Sequence, residues 1–139
     1  MRSILRIQNR QGVGMYHAEA GPRPTEHPKW RANDKRHPTP FEDAGLCSEW
    51  ELISPKDRAD YLFGFSSKEQ CLSWLYSSRH WEALASCGFF VAEYEVPEWA
   101  CISGYTQAVF DGTVAKCTRL TPCEDWFLIQ QEEAAQALG

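Results

Sequence analysis

The chain has 139 residues, 19 Asp and Glu against 14 Lys and Arg, and a formal charge of -5, with 43% hydrophobic residues. That is one ordinary globular domain over residues 1–139, large enough for a core without staples and too small for two full domains. The acidic balance excludes a general nucleic-acid or membrane-surface binder, because affinity for phosphates scales with the cations presented to them.

The opening Met1-Arg2-Ser3-Ile4-Leu5-Arg6-Ile7-Gln8 is too short and too charged for a signal-peptide core, and no run reaches the roughly 18 apolar residues of a membrane span. A cytoplasmic protein with no membrane partner is expected. Ile4–Ile7 reads as a first strand, ended by Asn9-Arg10-Gln11-Gly12-Val13-Gly14, where glycines allow a tight change of direction. Residues 21–40 hold five prolines and a basic set, Lys29, Arg31, Lys35 and Arg36, around Trp30. This predicts a long loop, with Trp30 as the candidate contact for a partner or a nucleic-acid base. Residues 41–51 form a short helix or turn, and Ser54-Pro55 opens another helix.

Tyr61–Phe65 has strand composition, and Ser66 or Ser67 caps a helix through the Ser-to-Glu/Gln spacing, with Cys71, Leu72, Leu75 and Tyr76 as its apolar face. A helix over 79–86 stops near Gly88. Phe89–Val96 is a strand closed by Pro97, and 99–102, 107–110 and 114–120 read as further strands separated by Gly104 and by an Asp111-Gly112 turn signal. Cys123–Leu138 is a helix with a polar end that frays at about 131–139. The order predicts an α+β domain, with a mainly antiparallel, twisted sheet and a few helices.

The six cysteines never stand as C-x-x-C, nor beside a histidine at zinc-ligand spacing, so free and mostly buried thiols and no metal site are expected. At least half of the six tryptophans are expected in the core. Neither a nucleophile elbow nor a phosphate-cradling Gly-rich loop with lysine is present.

The succession Leu5-Arg6-Ile7, Phe63-Gly64-Phe65-Ser66-Ser67, Glu95-Val96-Pro97 and Gly104 to Phe110 resembles the ADP-ribosyltransferase fold. The resemblance implies NAD as substrate, bound near Arg6, Tyr16, Ser66 and Gln107. Arg6 would hold the phosphates, Ser66 and Ser67 would frame the nicotinamide pocket, and Gln107 would stand at the catalytic position. Gln107 departs from the glutamate of that family; a neutral amide lacks the charge that stabilises an oxocarbenium-like centre, and Asp111 and Glu95 are displaced from its place. Each residue also has a structural reading. Arg6 snorkels from a strand, Ser66 and Ser67 cap a helix, and Gln107 pairs with backbone.

Two functions from different classes follow. One is an NAD-dependent ADP-ribosyltransferase-like enzyme that modifies a macromolecular target. The other is a binding protein that blocks a host macromolecule, as small accessory anti-defence proteins of phage and mobile elements do, with a binder of nucleotide signals as a third form.

Overall fold

A computed structural model describes residues 1–16 and 38–138. Most of the predicted basic loop, with Trp30, His27 and the four cations around it, lies outside the described residues.

Strand β1 (Arg2–Gln8) pairs antiparallel with β3 (Phe90–Val96), which pairs antiparallel with β6 (Lys116–Pro122). A second antiparallel sheet has the order β2 (Tyr61–Gly64), β5 (Ala108–Asp111), β4 (Cys101–Ser103). The α+β class is as expected, but among the described residues the single sheet is two sheets of three strands. They touch at one rung, where Leu5 and Phe65 exchange backbone hydrogen bonds of 2.8 and 2.7 Å. The next antiparallel rung would join Ile7 to Phe63. Instead the Phe63 carbonyl accepts from the Arg6 side chain, Nη1 to O 2.8 Å, so the ladder ends and the sheets part. Gly64 permits the contact, since a Cβ there would lie 2.5 Å from the Leu5 carbonyl oxygen.

Helices are short where their caps are close together. Leu46 precedes α1 (Cys47–Leu52), and Ser54 caps α2 (Pro55–Arg58) by accepting from the Asp57 amide. Of the two serines considered, Ser67 is the cap of α3 (Lys68–Trp74), its hydroxyl accepting from the Gln70 amide at 3.1 Å. Ser67→Ala is therefore expected to cost about 1 kcal/mol in a denaturant titration. A second serine, Ser77, caps α4 (Ser78–Ser86), with His80 reaching back to complete the capping box, and Gly88 at φ +76° turns the chain out of that helix. The last helix, α5 (Cys123–Leu138), continues through the residues where fraying was expected, all exposed from Gln131.

Alternation along β1 sends its side chains to two places. Ile7 joins the main core of Phe65, Trp74, Leu75, Trp81, Leu84, Phe89, Val91 and Trp126, enclosed by the first sheet and α3 to α5. Trp81 stacks on Trp126 and Phe127, both ring centroids 5.2 Å away. Ile4 enters a second core with Val96, Ala100, Ala108 and Phe110, while Trp50 and Leu46 pack on Val109.

Four of the expectations change. Trp99 lies on a 3-10 turn (Glu98–Ala100), not a strand, and is 74% exposed; among the described residues Trp50, Trp74, Trp81 and Trp126 are buried, so the expectation of at least half the tryptophans in the core holds. Tyr76 follows the end of α3, where the chain has left helical register, and is exposed. Asp111-Gly112 is not a hairpin turn: β5 and β6 belong to different sheets, and the Gly112 amide donates to the Asp60 carbonyl. All six cysteines are free thiols, but only Cys71 and Cys123 are buried. The other four sit on short elements and edges, where one side of the chain faces solvent. Burial pushes the thiols of both core cysteines up, leaving them as small apolar core groups.

Candidate functional site

The parting of the sheets opens a cavity of about 560 Å³. Its walls come from Arg6 on β1, residues 12–16 of the chain returning from β1, Pro38–Pro40, residues 61–63 of β2, Trp74 of α3, and Gln107 at the start of β5.

Arg6 is 6% exposed. Nη1 donates to the Phe63 carbonyl and Nη2 to the Gly12 carbonyl at 3.3 Å, while the buried Nε has no partner among the described residues. Two glycines make this possible. Gly12, at φ +87°, closes the turn whose carbonyl Arg6 uses, and a Cβ at Gly14 would stand 2.9 Å from Nη2. Burial pulls the Arg6 guanidinium below its ordinary value and Tyr94 opposes the shift, yet an arginine keeps its charge in such a place. Among the described residues no carboxylate lines the cavity and none forms an ion pair with Arg6. Isolated buried charge is costly, so a cation held this way favours an anionic ligand.

The aromatic wall is ordered by edge-to-face contacts. Tyr16 meets Phe63 at 6.3 Å and Trp74 at 6.5 Å between centroids, its hydroxyl accepting from Trp74 Nε1 at 2.9 Å, and Phe63 meets Trp74 at 5.3 Å.

Gln107 is wholly buried. Its Nε2 donates to the Pro38 carbonyl at 2.6 Å, and its Oε1 has no hydrogen-bond partner among the described residues. The loop before it is held from two sides. Asp43 accepts from the amides of Tyr105 and Thr106, from the Thr106 hydroxyl and from the Gly45 amide, at 2.8 to 2.9 Å. Gly104 leaves room for that carboxylate, which a Cβ would meet at 2.5 Å. From the other side Gln70 Nε2 donates to the Gly104 carbonyl at 2.8 Å.

The structure thus brings Arg6, Tyr16 and Gln107 to one cavity. Ser66 and Ser67 stand apart from its lining, at the entry to α3. Ser66 gives its amide and hydroxyl to Gln70 Oε1, and Ser67 is the cap. Asp111 accepts from the Thr113 amide and hydroxyl in its own turn, and Glu95 is exposed on β3. Asp43, Gln70, Phe63 and Trp74 escaped the sequence reading as site residues. The Asp43-Ala44-Gly45 spacing carries a local signal, an Asx turn, but nothing local shows that the same carboxylate reaches residues 105 and 106.

Among the described residues there is no group of three His, Cys, Asp or Glu side chains suited to a metal, and no helix is long and apolar enough to cross a membrane. A smaller cavity of about 370 Å³ lies beside the first, between α3 and the loop at Tyr105 and Thr106.

No solved structure matches the chain. One similar protein, described as "Uncharacterized 19.7 kDa protein in motB-dexA intergenic region" of Enterobacteria phage T4, is 31% identical over 100 residues. The match covers 60% of this chain and 60% of that protein, so it spans less than two thirds of the relative's length. The family profile described as Bacteriophage T4 Y00F protein matches residues 1–135, nearly the whole fold with both sheets and the cavity. The expectation of a phage-type protein agrees with this, and it is this family, not the ADP-ribosyltransferases, that the comparison shows: the chain belongs to the bacteriophage T4 Y00F protein family.

Proposed function

We propose that this phage-family protein binds a nucleotide through its phosphates, with NAD as the member of that class to which the ADP-ribosyltransferase resemblance points. The observation that carries the reading is Arg6, a buried guanidinium with no carboxylate beside it among the described residues, facing a cavity of nucleotide size. A permanently charged fork suits phosphate oxygens, and the ring wall of Tyr16, Phe63 and Trp74 suits a base. Ser66 and Ser67 take no part in this reading, whereas Gln107 takes part as a neutral amide. Transfer of ADP-ribose needs negative charge near the anomeric carbon, which none of the described lining residues supplies. Binding without chemistry is therefore the form proposed.

Calorimetry with NAD tests it, with nicotinamide release followed by chromatography in the same sample. Saturable binding is expected, weakened about 10- to 100-fold in Arg6→Met, the loss of a charged hydrogen bond or two. Inorganic pyrophosphate should compete for the unmodified protein, a readout that does not depend on the variant folding. No binding of NAD at millimolar concentration, or a folded Arg6→Met protein that binds as tightly as the parent, would overturn the reading. Release of nicotinamide would replace binding alone by cleavage of the nicotinamide–ribose bond, with water taking the ADP-ribose where no acceptor is present.

The blocking of a host macromolecule has support of its own in Trp99 and Tyr105, which are 74% and 78% exposed and of the residue types that anchor interfaces. A pull-down from host extract that loses its partner on Trp99→Ala would favour it over nucleotide binding.

A further inference from the structure

We infer that Gln107 is a specificity residue: it selects nucleotides that present an exocyclic amine or carboxamide N–H to it, and disfavours those with an oxo group or carboxylate at the same place. This rests on the nucleotide reading above.

The orientation of the amide follows from its partner. The Pro38 carbonyl can only accept, so the nitrogen of Gln107 must face it, and the 2.6 Å contact holds it there. With one N–H of Nε2 taken by Pro38, the group the side chain leaves unused is its acceptor, Oε1. Oε1 is buried and has no partner among the described residues, an unfavourable state that a ligand donor would relieve. A ligand oxygen at the same point would set acceptor against acceptor. The amide has little freedom to reverse. Its backbone follows the loop that Asp43 and Gln70 grip from two sides, and the Gln107 carbonyl accepts from the Gly104 amide at 2.7 Å. Sites built around a fixed polar group reject analogues that lack its partner far more strongly than apolar pockets reject a changed size. Tyr16, Phe63 and Trp74 share the cavity with Gln107, so a ring lying on that wall brings its edge substituents within the same enclosure. Arg6 takes the anionic end and Gln107 reads the base.

The test is a calorimetric series on the full chain. NAD is compared with nicotinamide hypoxanthine dinucleotide, in which the purine amine becomes oxo, and with nicotinic acid adenine dinucleotide, in which the carboxamide becomes a carboxylate. One analogue is expected to bind at least tenfold more weakly than NAD. Gln107→Leu should bring NAD and that analogue within threefold of each other; if that variant does not fold, Gln107→Met serves, and the series on the parent protein stands alone. NAD and both analogues binding the parent within threefold, or a gap that survives in the folded variant, would overturn the inference while leaving nucleotide binding intact. Absence of binding by all three compounds would overturn the nucleotide reading, and this inference with it.

Discussion

Gly64→Ala is expected to lower the free energy of unfolding by about 3 kcal/mol, seen as an earlier midpoint in a urea titration with an unchanged slope. The added Cβ would lie 2.5 Å from the Leu5 carbonyl oxygen, 2.9 Å from Ile4 Cγ2 and 3.3 Å from the Phe110 ring. The first of these is backbone. It cannot rotate aside, and it is the oxygen that accepts from the Phe65 amide in the one rung joining the two sheets. Room for a methyl is made by moving the sheets apart, which weakens two hydrogen bonds and loosens the second core around Ile4 and Phe110. Overpacking of about 1–3 kcal/mol and a net loss of about 1 kcal/mol per hydrogen bond set the size of the effect. A loss below about 1 kcal/mol would show that the sheets are held together elsewhere.

Asp43→Ala should cost a similar amount, about 3 kcal/mol, because it strands the amides of Gly45, Tyr105 and Thr106 that the carboxylate now receives. Its acid dependence is the more specific sign. Burial raises the Asp43 carboxyl, but the hydrogen bonds from Thr106, Tyr105 and Gly45 outweigh it, and the net shift is below the ordinary value. The folded protein thus holds this proton less tightly than the unfolded chain. The stabilisation is complete above the unfolded value of about 4 and is lost as the pH falls through the lower folded value. Thermal melts between neutral and strongly acidic pH should show the parent losing stability below about pH 4 more steeply than Asp43→Asn, which keeps one acceptor and has no proton to take up. Parallel acid limbs in the two proteins would remove the charge from this account and leave only the hydrogen bonds. The same variant is the one in which the loop before Gln107 is set free.

The elements that sequence made legible are those decided within a few residues. Ser67 three positions before Gln70, Ser54 before Pro55, Gly88 after α4 and the alternation of Val91 to Val96 each act through contacts inside one turn or one strand, so their patterns survive without knowledge of the fold. Arg6 and Gln107 were legible as chemistry-bearing residues only through the order of strands around them. That Ser66 and Ser67 stand apart while Tyr16 joins Arg6 and Gln107 depends on which way α3 leaves β2, and on the turn through Gly12 and Gly14.

The α+β class, the identity and approximate limits of most strands and helices, and a core rich in tryptophan follow from the residues alone, because propensity, caps and apolar period are local. Tertiary structure alone decided that the strands form two sheets, that Arg6 ends the ladder between them, that Asp43 holds residues 105 and 106, and that Asp111-Gly112 crosses between sheets. Those outcomes rest on pairs such as Arg6 with Phe63 and Asp43 with Thr106, 57 and 63 residues apart, and on one carbonyl having two competing donors. A competition between distant partners is settled by the geometry of the whole chain, and no stretch of sequence around either partner contains it.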